Sequence, residues 1–351
     1  MDLNENTRFA TLDTENMLAH INGLPQQLLQ AWKSGMTQPL PAMQPVDRIV
    51  VAGMGGSAIG ADLLAAYLAD RLRVPMNVHR DYGLPGYAQG KGTLVIISSH
   101  SGNTEESLSA FEQACENGCQ VVAVCTGGKL QQKAAEQGFP AWLFQHNGQP
   151  RAAVGFSFGL LLALIVRLGL IEDVAVEVED AVKVMTDLQN KIKADVPVLS
   201  NPAKRLAGQL IGRHVTVFGS NFMAPVARRW KCQINEVAKA IASFEYLPEA
   251  DHNTLAGINH PQQQMGHELA LFLRASADHP RNIIRVDKTR EILMLEGIGT
   301  DFFNAKGETK LAQMWSTILF GDYMAYYLAI CYDTDPTPIP AIITLKESMS
   351  D

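Results

Sequence analysis

Short runs of β-branched residues alternate along the chain with longer stretches in which apolar residues recur every three or four positions. In the first half, this pattern predicts strands at Arg48–Ala52, Thr93–Ile97 and Val121–Cys125, after a leading helix at Thr14–Leu29. Strands that alternate with amphipathic helices indicate an α/β fold with a parallel sheet. The residues that mark the helices between these strands are Ile59, Leu63, Leu64 and Leu68, then Leu108, Phe111 and Cys115.

The second half of the chain repeats the pattern in outline. A predicted strand at Thr216–Phe218 runs into Gly219-Ser220, much as Arg48–Ala52 runs into a glycine turn. A further strand is predicted at Asn282–Val286 and a long helix at Leu311–Leu328. We therefore expect two similar flavodoxin-like α/β domains, each a parallel sheet flanked by helices. The predicted bounds are a leading helical segment at 1–30, a first domain with linker helices at 31–190, and a second domain with the C-terminal tail at 191–351.

The segment Ala152–Ile171 is the most apolar of the chain, and its length alone would permit a membrane span. Three glycines, Ser157 and Arg167 interrupt it, and no second span follows. These interruptions favour a buried helix, which would open helical sequence that continues to about Asp195.

Composition adds few constraints. The 351 residues are 47% hydrophobic and 19% charged, with a formal net charge of −7 and a pI near 5.7, so neither nucleic acid nor a membrane surface is expected as a partner. The N-terminus, MDLNENTRF, is polar and unlike a signal peptide, and we expect a cytoplasmic protein. Five cysteines without secretory context predict reduced thiols.

The first motif that carries chemistry is VVAGMGGSAIG, from Val50 to Gly60. Glycines between a strand and a helix let backbone amides approach an anion at the positive end of the helix. Gly53, Gly55 and Ala58 also fit the dinucleotide fingerprint, with Asp81 near the place of a ribose-binding acid. Alone, this motif favours NAD or FAD about as much as a sugar phosphate.

The second motif, SSHSGNTEES at 98–107, follows a predicted strand and opens a helix. Ser99, Ser101 and Thr104 offer three hydroxyls within six residues. Asn103 and Glu106 have the spacing of a helix-capping pair, which is the purely structural explanation. A cap needs one such side chain, however, so the run of hydroxyls indicates a phosphate site formed without lysine or arginine.

The combination of GMGGSAIG with SxSGNTxE resembles the phosphate-binding signature of sugar-isomerase (SIS) domains. Further motifs, in the same order, are similar to the bifunctional phosphoglucose/phosphomannose isomerases, and the resemblance covers nearly the whole chain. It implies two SIS domains with the active site between them and at a dimer interface. These motifs are PRAAVGFSFG at 150–159, NEVAKA at 235–240, DHN at 251–253 and DPTPIPAIITLK at 335–346.

The resemblance also implies roles for individual residues. Glu236 would move the proton between C1 and C2, and Arg151 would face the enediolate. His252, reaching in from the partner subunit, would open the sugar ring, and Lys346 would assist near the ring oxygen. The implied reaction converts glucose 6-phosphate, and also mannose 6-phosphate, to fructose 6-phosphate without metal or other cofactor. The residues implied to bind the phosphate are Gly56, Ser57, Ser99, Ser101 and Thr104.

Several choices stay open at the level of the residues. Glu245 and Glu249 are carboxylates as plausible as Glu236 without the resemblance. Ile339 stands where dual-specificity archaeal relatives have a threonine, and Thr337 lies two residues before it. The alternative functions are a non-catalytic SIS sugar-phosphate sensor, the isomerase half of a glucosamine-6-phosphate synthase, and a dinucleotide-dependent oxidoreductase. A sensor would carry a DNA-binding helix-turn-helix and a synthase a glutaminase domain, neither of which is visible in the sequence.

Overall fold

The computed structural model describes residues 3–349, which form two compact units. The first unit is Gly23–Lys183, and the second combines residues 3–22 with residues 184–349. The helices before the first strand are α1 (Asn6–Leu12), α2 (Met17–Asn22) and α3 (Leu24–Gly35). The first unit continues with β1 (Arg48–Ala52), α4 (Gly55–Leu68), β2 (Met76–His79), β3 (Thr93–Ser99), α5 (Glu105–Glu116), β4 (Gln120–Cys125), α6 (Gly128–Glu136), β5 (Ala141–Leu143) and α7 (Val154–Arg167).

After α8 (Ala175–Ile192), the second unit contains a comparable series. Its members are α9 (Pro202–Leu210), β6 (His214–Ser220), α10 (Ala224–Glu236), β7 (Ala242–Leu247), α11 (Gln262–Met265), β8 (Glu268–Arg274), α12 (Pro280–Leu295), β9 (Gly299–Asn304), α13 (Lys310–Cys331) and α14 (Pro340–Ser348). Short 3₁₀ turns lie at Pro150–Ala152, Asn221–Met223, Glu249–His252 and Thr254–Gly257.

The sheet of the first unit is parallel throughout, with the strand order β2-β1-β3-β4-β5. Every residue of β3 is buried, as expected for a central strand covered on both faces. The strands predicted in this half of the chain and the helices predicted between them are confirmed. The short outer strands β2 and β5 were not predicted, because four and three residues give too little pattern to recognise.

The apolar segment after residue 152 forms α7, a buried helix, as predicted. It packs closely on α3 because small residues face each other there. A Cβ added at Gly155 would approach Gln27 within 2.7 Å, and one at Gly159 would approach Ala31 within 2.7 Å. In the part of the chain that the structure describes, no helix combines the length and the apolarity needed to cross a membrane.

The second unit has a parallel sheet of order β7-β6-β8-β9, which is the order of the first four strands of the other sheet. The turn after the first strand is also alike, because Gly55 and Asn221 both adopt φ = +48° at corresponding places. Asparagine is one of the few residues besides glycine that tolerate this conformation. These two features confirm the α/β fold class and the repetition inferred from sequence.

Two predictions about secondary structure are corrected. Asn282–Val286 is not a strand but lies inside α12, which begins at Pro280 with the side chain of His279 accepting a hydrogen bond from the amide of Arg281 (3.1 Å). Proline in the first turn is a helix-start signal, which outweighs the short apolar run. The leading helix Thr14–Leu29 is likewise broken at Gly23 into α2 and α3, which belong to different units.

The central strand β8 was not predicted, although its sequence ELALFLR is mostly apolar. Leucine and alanine are ordinary helix residues, so the run lacked the β-branched signal used elsewhere. The predicted domain bounds at 1–30, 31–190 and 191–351 stay a prediction. The compact units differ from them mainly in assigning α3 to the first unit and residues 3–22 to the second.

Two helical glycines of the second unit give a matched test of packing. A Cβ at Gly321, inside α13, would collide with the indole of Trp230, which is fully buried and donates to the carbonyl of Thr317 (2.9 Å). We expect Gly321→Ala to lower the free energy of unfolding by about 1–3 kcal/mol. Gly208→Ala, in α9 with open space around the added methyl, is expected to raise it by roughly 0.5–1 kcal/mol. Urea denaturation of both variants measures the difference, and equal shifts would contradict this account of the Trp230 contact.

Candidate active site

The first sheet reverses its direction of winding between β1 and β3. In open parallel sheets, ligands bind outside the carboxyl ends of the strands at such a switch point. Both chemical motifs lie there, since β1 ends at Ala52 and β3 ends at Ser99. The pairing of Ala52 with Ile97 sets the two loops side by side.

Hydrogen bonds fix the hydroxyls of the two motifs, and one of these bonds connects the first motif to the second. Ser57 Oγ accepts from the amide of His100 (3.2 Å), and Ser101 Oγ accepts from the amide of Asn103 (3.2 Å). The buried Ser99 donates its hydroxyl to Thr104 Oγ1 (3.1 Å). The hydroxyls of Ser57, Ser101 and Thr104 thus act as acceptors and keep a hydrogen to donate to an anion.

The helix that follows is not capped by a side chain. Thr104 is the N-cap of α5, and its side chain makes no capping hydrogen bond. The capping explanation for Asn103 is wrong, because its Oδ1 accepts instead from the amide of Lys129 (3.0 Å) and its Nδ2 donates to the carbonyl of Ser101 (3.1 Å). Asn103 therefore ties the loop to α6, and the first amides of α5 remain suited to a bound anion.

Gly53 and Gly56 of the first motif are required by packing within the unit. A Cβ at Gly53 would lie 2.5 Å from the carbonyl oxygen of Ser98, and one at Gly56 would collide with the carbonyl of Pro150. Of the dinucleotide fingerprint positions, Gly53 is thus used by the chain's own packing, whereas a Cβ at Gly55 would meet open space. The contact at Gly56 also brings the turn Pro150–Ala152, with the buried Arg151, against the start of α4.

His100 lies within the segment Ser99–Thr104, called here the hydroxyl loop, but its ring supplies no charge to it. Its Nε2 is 3.0 Å from Nδ1 of His146, and its ring packs edge-on against Phe144. Burial lowers the pKa of His100 below its usual value, so the ring is neutral near pH 7. The backbone of His100 also anchors the loop, because Thr126 donates both its amide (2.9 Å) and its hydroxyl (2.7 Å) to the His100 carbonyl.

The remaining candidate residues belong to the second unit. Glu236 is the last residue of α10 and is partly exposed. His252 is exposed in the turn Glu249–His252, and Lys346 is exposed on α14. They stand on three separate elements of this unit, and their catalytic roles stay a prediction.

Comparison with known proteins follows the same division of the chain. A profile described as a SIS domain matches residues 42–136, and one described as the bacterial phospho-glucose isomerase C-terminal SIS domain matches residues 199–349. The bifunctional phosphoglucose/phosphomannose isomerase of Caldicellulosiruptor bescii is 40% identical over 95% of this chain and 99% of its own length. This chain belongs to the bifunctional phosphoglucose/phosphomannose isomerase family.

Other relatives agree with this membership. The protein of the same description from Aquifex aeolicus is 33% identical over 88% of this chain and 92% of its own. Among solved structures, a glucose-6-phosphate isomerase like protein from Thermus thermophilus matches with a TM-score of 0.63 at 20% identity, over 97% of this chain and 98% of the other. The structural match supports the predicted SIS fold.

The two SIS sheets of this family member allow a comparison of their switch points. Aligning Gly53 with Gly219 places Ala52 with Phe218, whose strand partners are Ile97 and Phe272. Seven residues beyond these partners, at 104 and 279, both units reach the N-cap of the next helix. The hydroxyl positions Ser57, Ser99, Ser101 and Thr104 correspond to Met223, Arg274, Ser276 and His279.

Three of the four hydroxyl positions are thus replaced in the second sheet, where an internal carboxylate lies instead. Asp278 Oδ1 accepts from the amide of His279 (2.6 Å) and from the side chain of Asn282 (3.2 Å), and Asp278 Oδ2 accepts from the hydroxyl of Ser220. Asp278 and Ser220 are both buried. The corresponding place in the second unit of this isomerase-family chain is therefore occupied by the protein's own anion.

The described residues contain no group of three or more histidines, cysteines or acids arranged to hold a metal ion. All five cysteines are free thiols in the structure, and burial raises the pKa of each above its usual value. Raised thiol pKa values mean little thiolate at neutral pH, which fits a structural role for these cysteines in the isomerase family member.

The hydroxyl loop can be tested with inorganic phosphate. We expect Ser101→Ala to weaken phosphate binding about tenfold or more, because a hydrogen bond to a charged group contributes about 1.5–3 kcal/mol. Ser276→Ala, at the corresponding position of the second unit, is the matched control and should leave affinity unchanged. Isothermal titration calorimetry measures both, and equal affinities in the two variants would count against a phosphate site at this loop.

Proposed function

We propose that this chain is an aldose–ketose isomerase that interconverts glucose 6-phosphate, and mannose 6-phosphate, with fructose 6-phosphate. The observation that carries the proposal is the hydroxyl loop at the first switch point, in front of a helix without a side-chain cap. Membership in a family whose members are named for these two activities supports the choice of sugars.

The substrate phosphate is held by the donated hydroxyls of Ser57, Ser101 and Thr104 and by the amides at the start of α5. Ser99 acts through Thr104, since its own hydroxyl is donated to that side chain. Such a site suits a phosphate dianion because every group that points to it is a donor. The phosphate is unchanged in the reaction, so this binding is shared by substrate, enediol and product.

The chemistry is a proton transfer between neighbouring carbons. Glu236 removes the proton from C2 of the open-chain aldose while O1 gains a proton, which produces a cis-enediol. A proton is then delivered to C1 while O2 loses its proton, which produces the ketose. C1 is reduced from aldehyde to alcohol as C2 is oxidised from alcohol to ketone, so no external oxidant or reductant is needed. Glucose and mannose 6-phosphates differ only at C2, and both lead to the same enediol.

Arg151 is assigned to the negative charge of the enediolate. Its side chain is only 3% exposed, and a guanidinium keeps its charge even when buried. A fixed cation in a site with little water stabilises a developing oxyanion far more than it would in bulk solvent. His252 of a partner subunit would open the ring and Lys346 would act near the ring oxygen, in a homodimer that works in the cytoplasm.

Substitution of the base tests the mechanism directly. General-base catalysis contributes typically about 10² to 10⁴ in rate, so we expect Glu236→Gln to lower kcat by that factor while the fold and the affinity for sugar phosphate are kept. The matched controls are Glu245→Gln on β7 and Glu249→Gln in the turn before His252. If Glu236→Gln kept a near-normal kcat and one of the controls lost activity, the residue substituted in that control would be the base instead.

Isotope exchange separates the isomerase from the other functions. Turnover in deuterated water should label C1 or C2 of the recovered sugar, because a carboxylate base exchanges its proton with solvent. A hydride shift would leave the sugar unlabelled, and a sensor protein would not convert it at all. Glucose, mannose, glucosamine and arabinose phosphates are the substrates to compare.

Metal independence is a separate expectation. Because Arg151 can meet the charge of the enediolate, the isomerase activity should survive exhaustive chelation and dialysis. The measurement is the rate of fructose 6-phosphate formation before and after treatment, with metal analysis of the dialysed protein. Loss of activity that zinc or manganese restores would assign the enediolate to a metal ion instead.

A further inference from the structure

The turn that follows α10 contains a lysine in a backbone conformation that lysine rarely adopts. Lys239 adopts φ = +55°, three residues after Glu236, and the amide of Ala240 closes the helix end by donating to the carbonyl of Ile234 (3.2 Å). This is the bond pattern of a helix end whose left-handed residue is usually glycine, which adopts the conformation without strain. A residue with a Cβ costs roughly 1–2 kcal/mol more there.

The side chain of Lys239 donates hydrogen bonds to three carbonyl oxygens. Its Nζ donates to the carbonyls of Glu236 (2.7 Å), Val237 (3.2 Å) and Pro336 (3.1 Å). These bonds use the three donors of an ammonium group. Two of the acceptors lie at the C-terminal end of α10, where the helix dipole favours a cation.

The third carbonyl connects a different part of the same unit. Pro336 is buried in the segment between α13 and α14, the helix that carries Lys346. Asp335 fixes this segment by accepting from the amide of Thr337 (2.9 Å) and from the hydroxyl of Thr14 (2.6 Å). One ammonium group therefore joins the backbone of Glu236 to the segment that leads to Lys346.

We propose that Lys239 is a positioning residue for the isomerisation, which fixes the backbone from which the side chain of Glu236 extends. The proposal rests on the proposed function, with Glu236 as the base. It gives the strained lysine a purpose that glycine cannot serve, because glycine would end the helix equally well but could not bridge to Pro336. A base displaced by about 1 Å can lose on the order of 10²-fold in rate.

Lys239→Gly separates positioning from helix capping, because it removes the bridge and relieves the backbone strain together. We expect a stably folded variant whose kcat is about 10- to 100-fold lower. KM for the sugar phosphate should stay within a few-fold of the original, since the hydroxyl loop belongs to the other unit. Lys239→Met keeps a side chain of similar length without donors and should show the same loss of kcat.

A matched control exists at the end of α13. Asp333 also has a left-handed backbone, φ = +56°, and its side chain pairs at the surface with Arg8 (2.6 Å). Asp333→Gly removes similar strain and one surface ion pair, and should leave kcat unchanged. Unfolding by urea shows whether both variants fold, so a loss of kcat in Lys239→Gly is not confused with unfolding.

A double-mutant cycle tests whether Lys239 acts on kcat through Glu236. In the Glu236→Gln background, Lys239→Gly should have little further effect on kcat, because the base it positions is already absent. A kcat of Lys239→Gly within twofold of the original, a loss expressed only in KM, or a fully additive loss in the double variant would each overturn the proposal. If Glu236→Gln itself kept normal kcat, the assignment of the base would fail first.

Discussion

An uncharged site for phosphate requires hydroxyls and amides that already point to one place, and the pairing of β1 with β3 sets the two candidate loops side by side. The parallel register brings two loops together at the switch point, and the hydroxyls then orient one another. Ser57 accepts a hydrogen bond from the amide of His100, and Thr104 accepts one from the hydroxyl of Ser99. Donors prepared in this way need no reorganisation when an anion arrives, which is why preorganised dipoles bind charge effectively.

Much of this arrangement was predictable from sequence, because the deciding signals are local. Glycines after one strand and hydroxyls after the next mark the carboxyl edge of a parallel sheet, and α/β periodicity marks the sheet itself. The capping explanation for Asn103 could not be excluded in the same way. Its partner, the amide of Lys129, lies 26 residues further along the chain, and only the fold brings the two together.

The errors have a common physical origin in competing local preferences. Asn282–Val286 has the composition of a strand, but Pro280 and the cap of His279 start a helix two residues earlier. The central strand β8 has the composition of a helix and becomes a strand through pairing with β6 and β9. Lys239 could not be singled out at all, since its bond to Pro336 joins residues almost one hundred positions apart.

Asp278 gives the two sheets different relations to ligand. In the second unit its carboxylate accepts hydrogen bonds from the amide at the N-terminal end of α12 and from the hydroxyl of Ser220. Because Asp278 is part of the covalent chain, these bonds need no ligand. A phosphate bound at the hydroxyl loop would, by mass action, stabilise the first unit against unfolding by an amount that grows with the logarithm of its free concentration. The carboxylate of Asp278 is always present in the second unit, so its contribution to the stability of that unit does not depend on the supply of a metabolite. When sugar phosphate is scarce, a first unit that binds it would lose this added stability, whereas the second unit would keep the contribution of Asp278.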